Sequence, residues 1–157
     1  MSYAVSAALQ SAVFAAISAD PGVVASVGGA VYDALPSGTL PGLYVSLGPE
    51  NVRAEDDKTG SGSAHRFVIS VVTDVPGFRA AKEAAGAVSD VLHEADLTLS
   101  RGRLVSLRFE RASAYQIDKS AGRRIDLTFR ARSKRRDTNR PRDRVKSASC
   151  NTSLTAP

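Results

Sequence analysis

The sequence predicts an α+β domain, a four- to five-stranded, largely antiparallel sheet with two main helices packed on it. Two segments repeat apolar residues at steps of three and four, and several short segments alternate apolar with polar. The elements run helix, small helix, strand, strand, strand, helix, strand, strand, and the last two strands are joined by a hairpin signal.

From Ser2 to Ala19, Val5, Leu9, Ala12, Val13, Ala16 and Ile17 make one buried stripe of a helix. Asp20-Pro21-Gly22 ends it, and Asp20 with Pro21 is also a cap and first position for a short helix to Val27 that Gly28-Gly29 stops. Ala30 to Asp33 reads as a short strand, and Leu35 to Gly42 as a loop dense in proline and glycine. Leu43, Val45 and Leu47 alternate with Tyr44 and Ser46, a strand with one buried face. Phe67 to Val72 is apolar on nearly both parities, as in a central strand covered on both sides. Between these strands, Glu50 to Ala64 is acidic and then rich in glycine and serine; it reads as a strand extension giving way to a long mobile loop.

A helix is predicted over about Phe78 to Ala95, with Phe78, Ala81, Ala85, Val88, Leu92 and Ala95 on one face. Gly86 inside it costs about 1 kcal/mol relative to alanine, which points to close packing against a strand. The last two strands place Val105, Leu107 and Phe109, then Ile125, Leu127, Phe129 and Ala131, toward the core, and Ser106, Arg108, Glu110, Asp126, Thr128 and Arg130 outward. Asp118 to Arg123 joins them as a hairpin.

The 157 residues carry a formal net charge of +5, which at first sight indicates a nucleic-acid binder. The charge is unevenly placed. Residues 1–132 hold 14 basic and 14 acidic side chains, whereas residues 133–157 hold seven basic ones against Asp137 and Asp143. A neutral body of one domain's size, residues 1–132, is therefore followed by a basic, low-complexity extension, residues 133–157, without apolar period. With 43% hydrophobic residues the body is ordinary globular material, and no apolar run approaches the ~20 residues needed to span a bilayer. The N-terminal helix has no basic residue before its apolar part, unlike a secretory signal. Cys150 is the sole cysteine, which excludes an internal disulfide and any multi-cysteine metal site and points to synthesis in a reducing cytoplasm.

Signals for chemistry are weak throughout. Gly60-Ser61-Gly62-Ser63-Ala64-His65 lacks the third glycine of a dinucleotide fingerprint and precedes a strand instead of following one. There is no phosphate-binding loop and no nucleophile elbow. Asp56-Asp57 lacks the alternating ligands of a calcium loop. His65 and His93 have no ligand partner at metal spacing and read as surface or partly buried structural side chains. Glu55-Asp56-Asp57 on a glycine-rich loop lacks the desolvated setting of catalytic carboxylates and reads as a solvated loop or a docking surface. Asn151-Thr152-Ser153 fits a glycosylation pattern, which carries no weight without an export signal. No enzyme activity, cofactor or metal is expected. The cations Lys134, Arg135, Arg136, Arg140, Arg142, Arg144 and Lys146 are a candidate polyanion contact, with no aromatic for base stacking; the alternative is a solvated extension with no dedicated ligand.

Taken in order, Val31-Tyr32-Asp33-Ala34-Leu35-Pro36, Tyr44 to Gly48, Lys58-Thr59-Gly60, His65-Arg66-Phe67, Gly86-Ala87-Val88, Arg103 to Phe109 and Leu127 to Arg132 resemble the tail-completion or tail-terminator proteins of long-tailed phages, above all the version carried by alphaproteobacterial gene transfer agents. The resemblance covers about residues 5–132 and contains no catalytic signature. It implies a structural assembly protein: a homohexameric ring in the virion or phage-like particle, ending the tail tube and joining it to the head-tail connector or stopper protein. It also implies a central channel through which DNA passes without specific binding, and no membrane partner. In such a ring Arg53, Glu55, Asp56, Asp57 and Lys58 are candidates for contact with the tube or the lumen, where the acids would repel DNA phosphates. Family members end near Arg132, so the resemblance gives residues 133–157 no role. The competing reading is a nucleic-acid-binding module acting through the basic C-terminal extension.

Overall fold

The computed structural model describes residues 3–58, 60–117 and 122–135. A 3-10 turn, Tyr3–Val5, leads into α1 (Ser6–Ala19), followed by α2 (Pro21–Val27), β1 (Val31–Tyr32), β2 (Leu43–Ala54), β3 (Gly62–Thr73), α3 (Arg79–Leu92), β4 (Arg103–Gln116) and β5 (Arg123–Lys134). The α+β class predicted from the sequence is the observed one.

Asp20 both ends α1 and caps α2. Its Oδ2 accepts a hydrogen bond from the Val23 N–H at 3.0 Å, and Pro21 occupies the first turn, where its missing N–H goes unused. Gly28 stops α2 at φ 62°, and its N–H donates to the Val24 carbonyl at 2.7 Å. That left-handed geometry costs glycine little and other residues about 1 kcal/mol or more.

The five strands are ordered β1-β2-β3-β5-β4. Only β1 and β2 run parallel; the remaining pairs are antiparallel. One register line, Val45, Val71, Ile125 and Ala114, and another, Ile69, Leu127 and Ala112, define the face on which the helices lie. Leu9, Val13 and Ile17 of α1, Val23 and Val27 of α2, and Ala81, Ala84, Ala85, Val88 and Leu92 of α3 form a single buried cluster with Val45, Ile69, Val71, Leu127 and Phe129. At about 1.5–3 kcal/mol for each large apolar side chain buried, this layer is the main source of stability.

Four sequence expectations need correction. The central strand β3 is helix-covered on one face only; Val68 and Val72, on the other, remain half-buried. Glu50 to Ala64 is no long loop: β2 continues to Ala54 and pairs residue by residue with β3 as far as Ser63, leaving a short turn closed by an Asp57–Gly60 bridge. Backbone pairing requires no apolar alternation, so a polar strand extension is invisible to a hydrophobic pattern. In β4, Leu107 is buried but Val105 is 43% and Phe109 37% exposed. Bulges between Leu104 and Ser106 and between Phe109 and Arg111 break the alternation, and Leu104 packs against the core in place of Val105. Finally, Gly86 packs against nothing, since a Cβ there would meet no atom within 4 Å.

The hairpin joining β4 to β5 is present, with the Ile117 N–H donating to the Gly122 carbonyl at 2.9 Å. Its turn, from Asp118 to Ala121, lies outside the described residues. Strand β5 runs through Lys134, two residues past the Arg132 at which the sequence ends the domain, and Ser133 is buried.

Candidate functional site

The sheet face opposite the helices is polar. Its cross-strand rows can be read from the registers. Asn51, Arg66, Arg130 and Arg108 lie abreast in one row. Arg53, Ala64, Arg132 and Ser106 form the next row toward the β2–β3 turn, and Val68, Thr128 and Arg111 the row on the other side. Farther along come Ser46, Ser70, Asp126 and Ser113, then Tyr44, Val72, Arg124 and Tyr115.

Three carboxylates work within this arginine array. Glu110 takes a two-pronged pair of hydrogen bonds from Arg66, each 2.7 Å, and these hold its carboxyl below the usual range. Glu55 lies between Arg130 at 2.5 Å and Arg132 at 2.8 Å. Burial opposes its ionisation, but the hydrogen bonds and charges of the two guanidiniums outweigh that and lower its pKa. Asp126 gathers Arg124 at 2.7 Å, Ser70 at 2.7 Å and Tyr115 at 2.8 Å. Burial again opposes ionisation, and these donors again win, lowering the Asp126 pKa. The same bond to Asp126, with some burial, raises that of the Tyr115 hydroxyl.

A second polar cluster lies under the helices. His65 is fully buried, a correction to its expected surface or partly buried place. Its Nδ1 is 2.7 Å from Glu50 Oε1, and its Nε2 is 2.9 Å from Ser63 Oγ and 3.1 Å from Ser133 Oγ. Ser63 and Ser133 are 2.9 Å apart, and Ser6 of α1 donates to the other oxygen of Glu50. The carboxylate–imidazole–hydroxyl order matches an activated serine. Both hydroxyls, however, are closed off at 4% and 3% exposure and bonded to each other. The array clasps α1, β2, β3 and β5 together. His93, by contrast, is exposed and accepts the Phe109 N–H at 3.2 Å through Nδ1.

Of the candidate contact residues, Arg53 is exposed near the end of β2 and Glu55 is held by its two arginines. Asp56 Oδ1 accepts the Gly62 N–H at 3.3 Å, and Asp57 Oδ1 accepts the Lys58 N–H at 2.8 Å, so both acids also shape the turn. The structure thus gathers Arg53 and Glu55 with Arg66, Arg130 and Arg132, leaving Asp56, Asp57 and Lys58 at the exposed tip. Of the candidate polyanion contacts, Lys134 ends β5 and the Arg135 N–H donates to the Ser61 carbonyl at 3.1 Å. Arg136, Arg140, Arg142, Arg144 and Lys146 lie outside the described residues. Sequence reasoning misses the arginine array itself. Outward alternation marks Arg108 and Arg130 singly, but only strand order sets Arg66, Arg130 and Arg108 side by side.

Residues 11–134 match the family described as tail completion protein gp17. The chain belongs to the tail completion protein gp17 family. A chain of the solved structure described as the virion of a native gene transfer agent particle is similar over 85% of this chain and 99% of its own, at 60% identity and a TM-score of 0.81. No curated protein matches. Membership of the tail completion family thus rests on agreement in sequence and in three-dimensional form.

Proposed function

We propose that the protein ends the tail tube of a phage-like particle, at the head-tail junction, and joins it to the connector as a homohexameric ring with a DNA-conducting channel. The observation that carries this reading is the 60% identity, over 99% of its length, with a chain of a gene transfer agent virion. At that identity the surfaces by which one chain meets its neighbours are expected to be preserved along with the core. A ring built head to tail needs two unlike surfaces on each subunit. The two edges of the sheet, the short β1 on one side and the long β4 on the other, supply unlike surfaces on opposite sides of this domain. The role is one of assembly, with no catalytic step, and the channel passes DNA of any sequence.

Mass and symmetry test it. The purified full chain, alone and mixed with its cognate tube, is expected to give rings of six-fold symmetry in electron micrographs and by light scattering. A chain that stays monomeric in both settings, or a ring of another order, overturns the hexamer.

A further inference from the structure

We propose that the arginine-bearing end of the open sheet face, formed by Arg53, Arg66, Arg108, Arg111, Arg130 and Arg132, contacts the phosphate backbone of duplex DNA without sequence preference. This goes beyond the ring reading and does not depend on it. The first ground is electrostatic. Arg66, Arg130 and Arg108 are directly opposite one another on adjacent strands, and like charges so placed destabilise a sheet. Arg132 and Arg111 belong to the flanking rows, and among the described residues only Glu55 and Glu110 form ion pairs with the six cations. Arg53 and Arg108 make no ion pair among the described residues. The fold therefore carries a repulsion that its own acids only partly relieve, and an external anion would relieve the rest.

The second ground is chemical. Guanidinium groups bind phosphate oxygens through paired N–H donors and are more weakly hydrated than ammonium groups. Arginine is the only cation in these rows, and no aromatic ring stands among them for base stacking, so the contact is to backbone and carries no sequence information. The third ground is extent. Beside these rows the chain leaves the sheet at Lys134 and Arg135, and the sequence continues with Arg136, Arg140, Arg142, Arg144 and Lys146. Positive charge that continues along the sequence past the last strand suits a long polyanion better than the compact acidic patch of a protein.

The test uses the full-length protein, two short labelled duplexes of unrelated sequence, and titrations between about 50 and 200 mM salt. Both duplexes should bind alike, with affinity falling steeply as salt rises. The double variant Arg53→Ala/Arg108→Ala should bind more weakly and flatten the slope of log K against log salt by about 2, at ~0.9 for each phosphate no longer neutralised. Arg53→Lys/Arg108→Lys should restore the slope. The proposal is overturned by absence of binding at low salt or by an alanine double variant identical to the parent. It is equally overturned if replacing the five cations from Arg136 to Lys146 by glutamine removes all binding, which would assign it to the extension alone. Displacement of the duplex by polyglutamate at equal charge would overturn it too, and assign the face to an acidic protein. Light scattering on the same samples reports assembly separately, so loss of the ring and loss of DNA binding are distinguishable results.

Discussion

His65 shows how much one side chain can hold in place. With both ring nitrogens engaged and no solvent contact, it satisfies Glu50 on one side and two serine hydroxyls on the other. Its removal would leave two buried hydroxyls and a partly buried carboxylate short of a partner. Each such group costs about 1–3 kcal/mol. His65→Ala is therefore expected to destabilise the protein by about 3 kcal/mol or more, read as a lower denaturant midpoint at unchanged m-value. Ser6→Ala, which removes one donor at the rim of the same cluster, should cost about 1 kcal/mol; equal effects for the two would deny the imidazole its central place. The exposed pair Arg66 and Glu110 has better geometry than most, yet a solvent-accessible ion pair contributes only ~0–1 kcal/mol. The open-face arginines are thus minor contributors to folding, which leaves them available for contact with something else.

At the scale of the element, α3 separates what periodicity reveals from what it does not. The apolar stripe from Ala81 to Leu92 is legible because burial on one side of a helix recurs every three or four residues. Gly86 is not, because a glycine within a helix signals either close approach or open space, and only the neighbouring elements decide between them. Here the space is open. Gly86→Ala is expected to raise stability by up to ~1 kcal/mol through helix propensity and a less free unfolded chain, measured as a higher thermal midpoint. If the same variant fails to form rings, the outer side of α3 is an assembly surface. The β2–β3 hairpin escapes the sequence for a related reason. Asn51, Arg53, Ser63 and Ala64 carry no hydrophobic signal, and their strand exists because β5 lies alongside on the far side of β3.

For the whole molecule, the formal charge divides by position. The body is close to neutral but not uniform, since arginines concentrate on its open sheet face. Because Ser133 and Lys134 belong to β5 and Ser133 joins the buried cluster, the part that folds should end at Arg135 and not at Arg132. A chain ending at Arg135 is expected to remain soluble and to unfold in one cooperative transition, as followed by circular dichroism in denaturant. One ending at Arg132 should lose stability, because Ser63 and His65 lose a partner. Equal midpoints for the two would remove Ser133 from the cluster.

The sequence by itself determined the identity and order of the elements, the cap at Asp20, the buried parity of β5 and the neutrality of the body. Each of these follows from interactions among residues a few positions apart or from composition. It also carried enough short matches to point to the tail completion family. Tertiary structure decided the rest. Inserting β5 between β3 and β4 placed Arg66, Arg130 and Arg108 abreast, and brought Glu50 and Ser133 to His65 across 15 and 68 positions of chain. Strand order, register and bulges are settled by long-range pairing, which leaves no period in the sequence, and both the arginine face and the buried clasp are products of that pairing.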